Sequence, residues 1–369
     1  MNCNPRAQNL ARGGTIIYEM PYRFLTLLSL LLLASLLLTG CAKARERREA
    51  RQAAGATATV RVAASDPSAQ LEATPVPGNA PANASERPPA ASCDAAAATG
   101  PSIETLESGG TQRSYRLFVP SSYDASTPMP LVLNFHGFGS NALEQERYSD
   151  FPALAEREGF IVATPDGTNS PQRWYIYGQL EPGYVDDFGF TDELIDAISA
   201  RYCIDSSRVY ATGISNGGGI TSLLGCRLND RIAAIAPVAG SPYSPPACSG
   251  AGPMPVVAFH GTDDALVPFE GGPGGRLGLP INPVRDNMRG WAEHNGCDLT
   301  LQTRRIAGDV VLESYGGCNG GANVQLYVIE GGGHTWPGAS RDLAALGSTT
   351  HSVSATELAW RFFAEQARR

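Results

Sequence analysis

RVYATGISNGGG, residues 208–219, reads as a strand that turns sharply into a helix. Val209, Tyr210 and Thr212 favour a strand, and the run from 216 to 227 fits a helix. Between them stands Gly213-Ile214-Ser215-Asn216-Gly217, a G-x-S-x-G pentapeptide in the setting of a nucleophile elbow. Small residues permit the tight turn and leave the Ser215 hydroxyl exposed. The helix N-terminus then favours negative charge that develops beside it. The pentapeptide alone is common enough to mark a mere glycine-rich turn. The strand before it, the helix after it and Gly218-Gly219 beyond give it weight.

Outward from the elbow, the chain alternates strand and helix. Apolar runs fall at 114–119, 130–135, 160–164, 208–212, 232–238, 255–259 and 324–329. Several are continuously apolar, as strands buried on both faces are. Helical patterns at about 141–158, 189–201, 216–227, 283–295 and 353–366 separate them. The expectation is an α/β domain over 101–369, with a mostly parallel central sheet flanked by helices.

A serine nucleophile needs a base, and the chain has five histidines. His136 and His260 each close a strand as His-Gly. His294 sits in a helical run and His351 ahead of the last helix. His334 lies in GGGHTWPG, 331–338, directly after a strand. A glycine loop can carry its imidazole to a serine on another strand end. Its late position suits the Ser…Asp/Glu…His order of the α/β-hydrolase fold. The acid should lie between the two, and HGTDDALVP, 260–268, offers Asp263 and Asp264. The H-G-x-x-D-x-x-V-P spacing of many α/β-hydrolases favours Asp264, whose carboxylate would fix the imidazole tautomer. Asp186 and Asp187 precede the nucleophile and suit a helix cap better.

An oxyanion hole takes the backbone N–H of Asn216 and a second donor from His136-Gly137-Phe138-Gly139. Phe138 is favoured over Gly137, and His136 is expected to pin the turn. Trp174, Tyr175, Tyr177 and Trp336 could wall a cleft for an aromatic acyl group or a sugar, with core packing as the competing role. The stretch 271–278, GGPGGRLG, lacks a phosphate-loop Gly-Lys-Ser/Thr and reads as a surface loop near the acid. No metal site and no organic cofactor is expected.

GISNGG, HGTDDALVP and GGGHTWPG together resemble the extracellular esterases that include feruloyl esterases and poly(3-hydroxybutyrate) depolymerases, within the α/β-hydrolase superfamily. Val185-Asp186-Asp187 with Gly189-Phe190 also matches. Leu279-Pro280, Trp291-Ala292 and Asn295-Gly296-Cys297 look most like the feruloyl esterase branch. The resemblance covers about 110–365. It implies Ser215 as nucleophile, Asp264 as acid and His334 as base of a serine carboxylic-ester hydrolase. The implied substrates are ester-linked plant polysaccharide, acetylated xylan or polyester. The rival of another class is a non-catalytic carbohydrate-binding protein on this fold.

The N-terminal third has a different character. FLTLLSLLLLASLLLTG, 24–40, follows Arg23 and ends on Leu38-Thr39-Gly40-Cys41, which resembles a bacterial lipobox. Residues 1–41 are therefore expected to be a leader, with Cys41 lipidated and membrane-anchored. An uncleaved membrane anchor is the alternative. Met20 would begin a more usual signal peptide. Lys43, Arg45, Arg47, Arg48 and Arg51 could meet anionic headgroups or be a solvated charge run. The Ala/Pro-rich stretch 42–100 is expected to be a flexible spacer. Residues 1–100 carry net +3 and the rest −11, within a total of −8. That acidity argues against nucleic acid and polyanionic substrates. The expected location is outside the cytoplasm, secreted or membrane-anchored, as a monomer. Eight cysteines fit export: beyond Cys3 and Cys41 remain Cys93, Cys203, Cys226, Cys248, Cys297 and Cys318, enough for three disulfides with 15 possible pairings. Cys297–Cys318 is the preferred pair.

Overall fold

The computed structural model describes residues 98–176, 185–240, 248, 250–274 and 279–368. The leader 1–41 with Cys41, nearly all of the spacer 42–100, Cys93 and Tyr177 lie outside the described residues.

Ten strands among the described residues build one sheet. They are β1 (Gly100–Ser108), β2 (Thr111–Val119), β3 (Met129–Phe135), β4 (Ile161–Pro165), β5 (Ile204–Ile214), β6 (Ala234–Val238), β7 (Val256–Gly261), β10 (Gln302–Ala307), β11 (Val310–Tyr315) and β12 (Val324–Ile329). A short hairpin, β8 (Gly272–Gly274) and β9 (Leu279–Ile281), stands apart. The order is β1-β2-β4-β3-β5-β6-β7-β12-β11-β10. The middle six strands are parallel, and antiparallel pairs close both flanks. This is the α/β-hydrolase fold, with its reversal of strand order at β4-β3-β5.

Six helices fill the connections: α1 (Ala142–Ser149), α2 (Phe151–Glu158), α3 (Asp187–Ser199), α4 (Asn216–Arg227), α5 (Val284–His294) and α6 (Ala355–Ala364). Every residue of β3, β4, β6 and β7 is buried, as their continuous apolar runs require. One core cluster gathers Leu131, Leu133, Phe190, Ile220 and Trp291. The other, on the opposite face, gathers Val132, Phe151, Phe160, Tyr210 and Phe363. Among the described residues no helix is long and apolar enough to cross a membrane.

Two expectations are refined, one helical and one of a loop. The run 141–158 is two helices. Asp150 takes a left-handed conformation at φ 56°, its N–H closes α1 on the Glu146 carbonyl, and a proline opens α2. Pro152 has no N–H to continue α1. The glycine-rich stretch from 271 is not simply a surface loop, because 272–274 pairs with 279–281.

Disulfides join Cys226 to Cys248 and Cys297 to Cys318, and Cys203 is also disulfide-bonded. The expected pairing of Cys297 with Cys318 is present.

Of the two adjacent aspartates, Asp186 caps α3, accepting from the N–H groups of Phe188 and Gly189. Asp187 instead turns inward. It pairs with buried Arg113 at 2.9 Å and accepts the Tyr175 N–H at 2.7 Å. The guanidinium lies 3.8 Å over the Phe190 ring. Burial pushes the Asp187 carboxyl up against the pull of Arg113. Removing one member of a buried ion pair strands the other charge away from water. Asp187→Ala should therefore lower folding stability by about 3–5 kcal/mol, read as a drop in thermal midpoint, while Asp186→Ala should cost about 1 kcal/mol through its lost cap.

Candidate active site

The parallel register places Ser215, Asp264 and His334 beyond the same end of the sheet. Ile214, Val238, Phe259 and Tyr327 form one rung across β5, β6, β7 and β12. Ser215 lies one residue beyond this rung, Asp264 five beyond, and His334 seven beyond. Strands stand about 4.8 Å apart, so the ends of β5 and β12 are roughly 14 Å apart, while His334 meets Asp264 on the loop after the neighbouring strand β7.

Ser215 stands at the elbow with φ 59° and ψ −121°. A non-glycine residue rarely holds a positive φ, and here the surroundings enforce it. Its N–H donates to the Val238 carbonyl at 2.9 Å, and its own carbonyl accepts from Gly219 at 2.9 Å. Gly217 explains the local composition. A Cβ there would sit 2.2 Å from the Phe135 carbonyl oxygen and 2.5 Å from that of His136. The start of α4 can press against the end of β3 only because that position has no side chain.

Asp264 is buried and fully engaged. Its Oδ1 accepts from the N–H groups of Leu266 at 2.9 Å and Val267 at 2.8 Å. Its Oδ2 accepts from Nδ1 of His334 at 2.8 Å. Burial alone would raise this carboxyl. Hydrogen bonds from His260 and His334 overcome that and hold it well below the usual carboxylate range. An ionised carboxylate only accepts, so Nδ1 of His334 carries a proton, and in the neutral ring the lone pair is then on Nε2. By linkage, the depressed pKa stabilises the fold above the unfolded value of about 3.9, and this contribution is lost as pH falls through the lower folded value. Asp263 is exposed and touches Thr262.

The His334 loop is sewn down along its length. The His334 N–H donates to the Leu346 carbonyl at 2.7 Å and that of Gly333 to Ser348 at 2.9 Å. A Cβ at Gly261 would meet the Gly332 carbonyl oxygen at 2.1 Å. The loops carrying Asp264 and His334 thus touch backbone to backbone.

His260 had no role in the sequence reading. Its Nε2–H donates to the Val267 carbonyl at 2.8 Å and lies 3.3 Å from Oδ2 of Asp264. It braces the acid loop from the end of β7. The available signal was its place four residues before Asp264 in the H-G-x-x-D spacing.

His136 pins its turn as expected. Its Nδ1–H donates to the Gly137 carbonyl at 2.7 Å, and Nε2 accepts the Gly167 N–H at 2.9 Å. Burial holds the ring below the ordinary histidine range. A Cβ at Gly137 would lie 3.4 Å from Cβ of Ser215, so this turn abuts the elbow. Phe138 follows at 47% exposure. His294 contacts the Gly252 carbonyl at the end of α5, and exposed His351 faces Asp342.

The tryptophans depart from expectation. Trp174 and Trp336 are each only 1% exposed, so neither ring is offered to solvent as a cleft wall. The Trp336 indole N–H donates to Thr356 at 2.9 Å, its ring meets Phe151 edge-on, and its backbone N–H reaches the Tyr148 hydroxyl at 3.1 Å. A buried indole needs an acceptor, and Thr356 on α6 supplies it. Trp336 therefore anchors the His334 loop to the core.

Residues 113–268 match the family model described as esterase PHB depolymerase. Over these residues the chain is similar to this esterase family. The match contains Ser215 and Asp264, and His334 lies past its end. The chain is 35% identical over 224 residues to feruloyl esterase B of Piromyces equi, covering 58% of this chain and 41% of that one. It is 29% identical over 287 residues to the putative esterase NocK of Nocardia uniformis subsp. tsuyamanensis, covering 72% and 83%. A third relative is the poly(3-hydroxyalkanoate) depolymerase C of Paucimonas lemoignei, 29% identical over 253 residues, covering 59% and 57%. The chain thus spans less than half the length of the feruloyl esterase.

Proposed function

We propose that this chain hydrolyses carboxylic esters by a Ser215–His334–Asp264 triad and is of the feruloyl esterase type, acting on ester-linked plant polysaccharide. The 2.8 Å bond from His334 Nδ1 to Asp264 Oδ2 carries the reading, because it leaves Nε2 able to take a proton. Ser215 attacks the ester carbonyl as His334 accepts its proton. The backbone N–H groups of Asn216 and Phe138 hold the tetrahedral oxyanion. His334 protonates the departing alcohol, and water then hydrolyses the acyl-enzyme by the same route.

The acyl specificity is the open choice among the family's chemistries. Identity to feruloyl esterase B favours a feruloyl ester, while the polyester depolymerase relative keeps short hydroxybutyrate oligomers as the alternative. A panel of methyl ferulate, acetylated xylan and hydroxybutyrate trimer, assayed on the full chain, separates them. Fastest turnover of methyl ferulate supports the first reading. Turnover of the trimer alone overturns it. A chain that binds these sugars or esters without turning any over would be the carbohydrate-binding alternative.

The same proposal includes the chain's organisation: leader 1–41, spacer 42–100 and catalytic domain 101–369, held outside the cytoplasm through a lipid on Cys41. It is supported by the lipobox-like Leu38-Thr39-Gly40-Cys41. Radiolabelled palmitate should enter the wild-type chain and not Cys41→Ser, and equal labelling of both would overturn the anchor.

A further inference from the structure

Trp174 is buried beside the elbow and is bonded at both ends of its residue. Its backbone N–H donates to Oδ1 of Asn216 at 2.7 Å, and its carbonyl accepts from Nδ2 of Asn216 at 3.0 Å. Its indole N–H donates to the His136 carbonyl at 2.9 Å. Its ring packs edge-on against Phe135 at 5.0 Å. The strap leading to it is tied to the same turn, since the Gly139 N–H donates to the Gln172 carbonyl at 2.7 Å.

These bonds form one continuous path. At one end is Asn216, the residue after the serine. At the other is the carbonyl of His136, two residues before Phe138. Asn216 and Phe138 are the residues whose N–H groups would receive the oxyanion. An oxyanion hole stabilises charge only when both donors are already aimed at the point where charge appears, and sub-ångström drift weakens them. The two donors here belong to different elements, the start of α4 and the turn after β3. The β3–β5 pairing and the Gly217 contact bring these two elements together, and the Asn216–Trp174–His136 bridge adds a hydrogen-bonded tie between the two donor residues' own segments.

We infer that Trp174 and the Asn216 side chain are positioning residues that set the spacing of the two oxyanion donors. Neither contacts the substrate in this role. The inference rests on the esterase reading above, and it gives Trp174 a task that its burial permits and a cleft wall does not. It also gives a reason for a carboxamide directly after the nucleophile. Only a side chain with a donor and an acceptor at one tip can grip both the N–H and the C=O of a single residue.

The experiment compares wild type, Trp174→Phe, Asn216→Ala and the double variant on p-nitrophenyl acetate. Active sites are counted by fluorophosphonate labelling, so misfolded protein does not enter kcat. Trp174→Phe keeps a ring but deletes the indole donor. Asn216→Ala cuts both bonds to Trp174 from a partly exposed position, and it decides the matter alone if Trp174→Phe does not fold. Each variant should lower kcat per labelled site by about 10- to 100-fold, less than outright deletion of a donor, with KM within about threefold. The affinity for phenylboronic acid, which forms a tetrahedral adduct on the serine, should weaken by the same factor. The double variant should lose little more than the worse single one, since both cut one path. A kcat per site within about threefold of wild type, or unchanged boronate affinity beside a lowered kcat, would overturn the inference. A wild-type chain without esterase activity would instead remove the reading on which it rests.

Discussion

Ser215→Ala should cut ester hydrolysis by about 10⁶-fold in kcat, leaving only the residual rate that oxyanion donors and substrate binding supply without a nucleophile. The loss is so large because the hydroxyl is the bond-forming atom and no acyl-enzyme can form without it. The fold should survive. Ser215 is held through its backbone N–H to Val238 and its carbonyl from Gly219, and alanine keeps both bonds. The thermal midpoint of the variant should therefore stay close to wild type while activity on p-nitrophenyl acetate vanishes. A variant as active as wild type would remove Ser215 from the chemistry.

Asp264→Asn should cost about 10⁴-fold in kcat. The argument turns on which end of the new amide faces the histidine. The N–H groups of Leu266 and Val267 both point at the Oδ1 position and need an acceptor there. The amide oxygen must take that place, which forces the NH₂ group to the Oδ2 position against Nδ1 of His334 and near Nε2 of His260. His334 can then bond only by accepting at Nδ1, which moves its proton to Nε2 and disables the base. Asp263→Asn, on an exposed neighbour, should change the rate less than about threefold. The pair of variants separates the two adjacent aspartates that the sequence leaves in competition. The folding stability gap between wild type and Asp264→Asn should also narrow as pH falls below about 4, since the wild-type carboxylate loses its advantage there.

How far the sequence could be read followed from where each residue sits. The central strands were legible because burial on both faces makes them continuous apolar runs, as in PLVLNF at the heart of β3. Of the flanking strands, β2 was legible at 114–119, but β1 and β10 were not. β1 alternates partly buried and exposed residues, and β10, with Arg304 and Arg305, is almost wholly exposed, so neither carries a buried-strand signature. The residues proposed as nucleophile, acid and base, Ser215, Asp264 and His334, stand past strand ends in short spacings, and those spacings are local. The partnerships of Arg113 with Asp187 and of Trp174 with Asn216 join residues 74 and 42 positions apart, and no local pattern announces them. The tryptophans mark the same limit. A large aromatic near a site reads equally as a cleft wall or a brace, and the difference is settled by what its N–H meets. For Trp174 that is the His136 carbonyl and for Trp336 it is Thr356.

The most direct test of the central claim is to treat the full chain with a fluorophosphonate probe and map the labelled residue by peptide mass spectrometry. The expected result is one label per chain on Ser215, with loss of ester hydrolysis in step with labelling and much slower labelling of Asp264→Asn. Labelling at another residue, or full activity in chains carrying the label on Ser215, would contradict it.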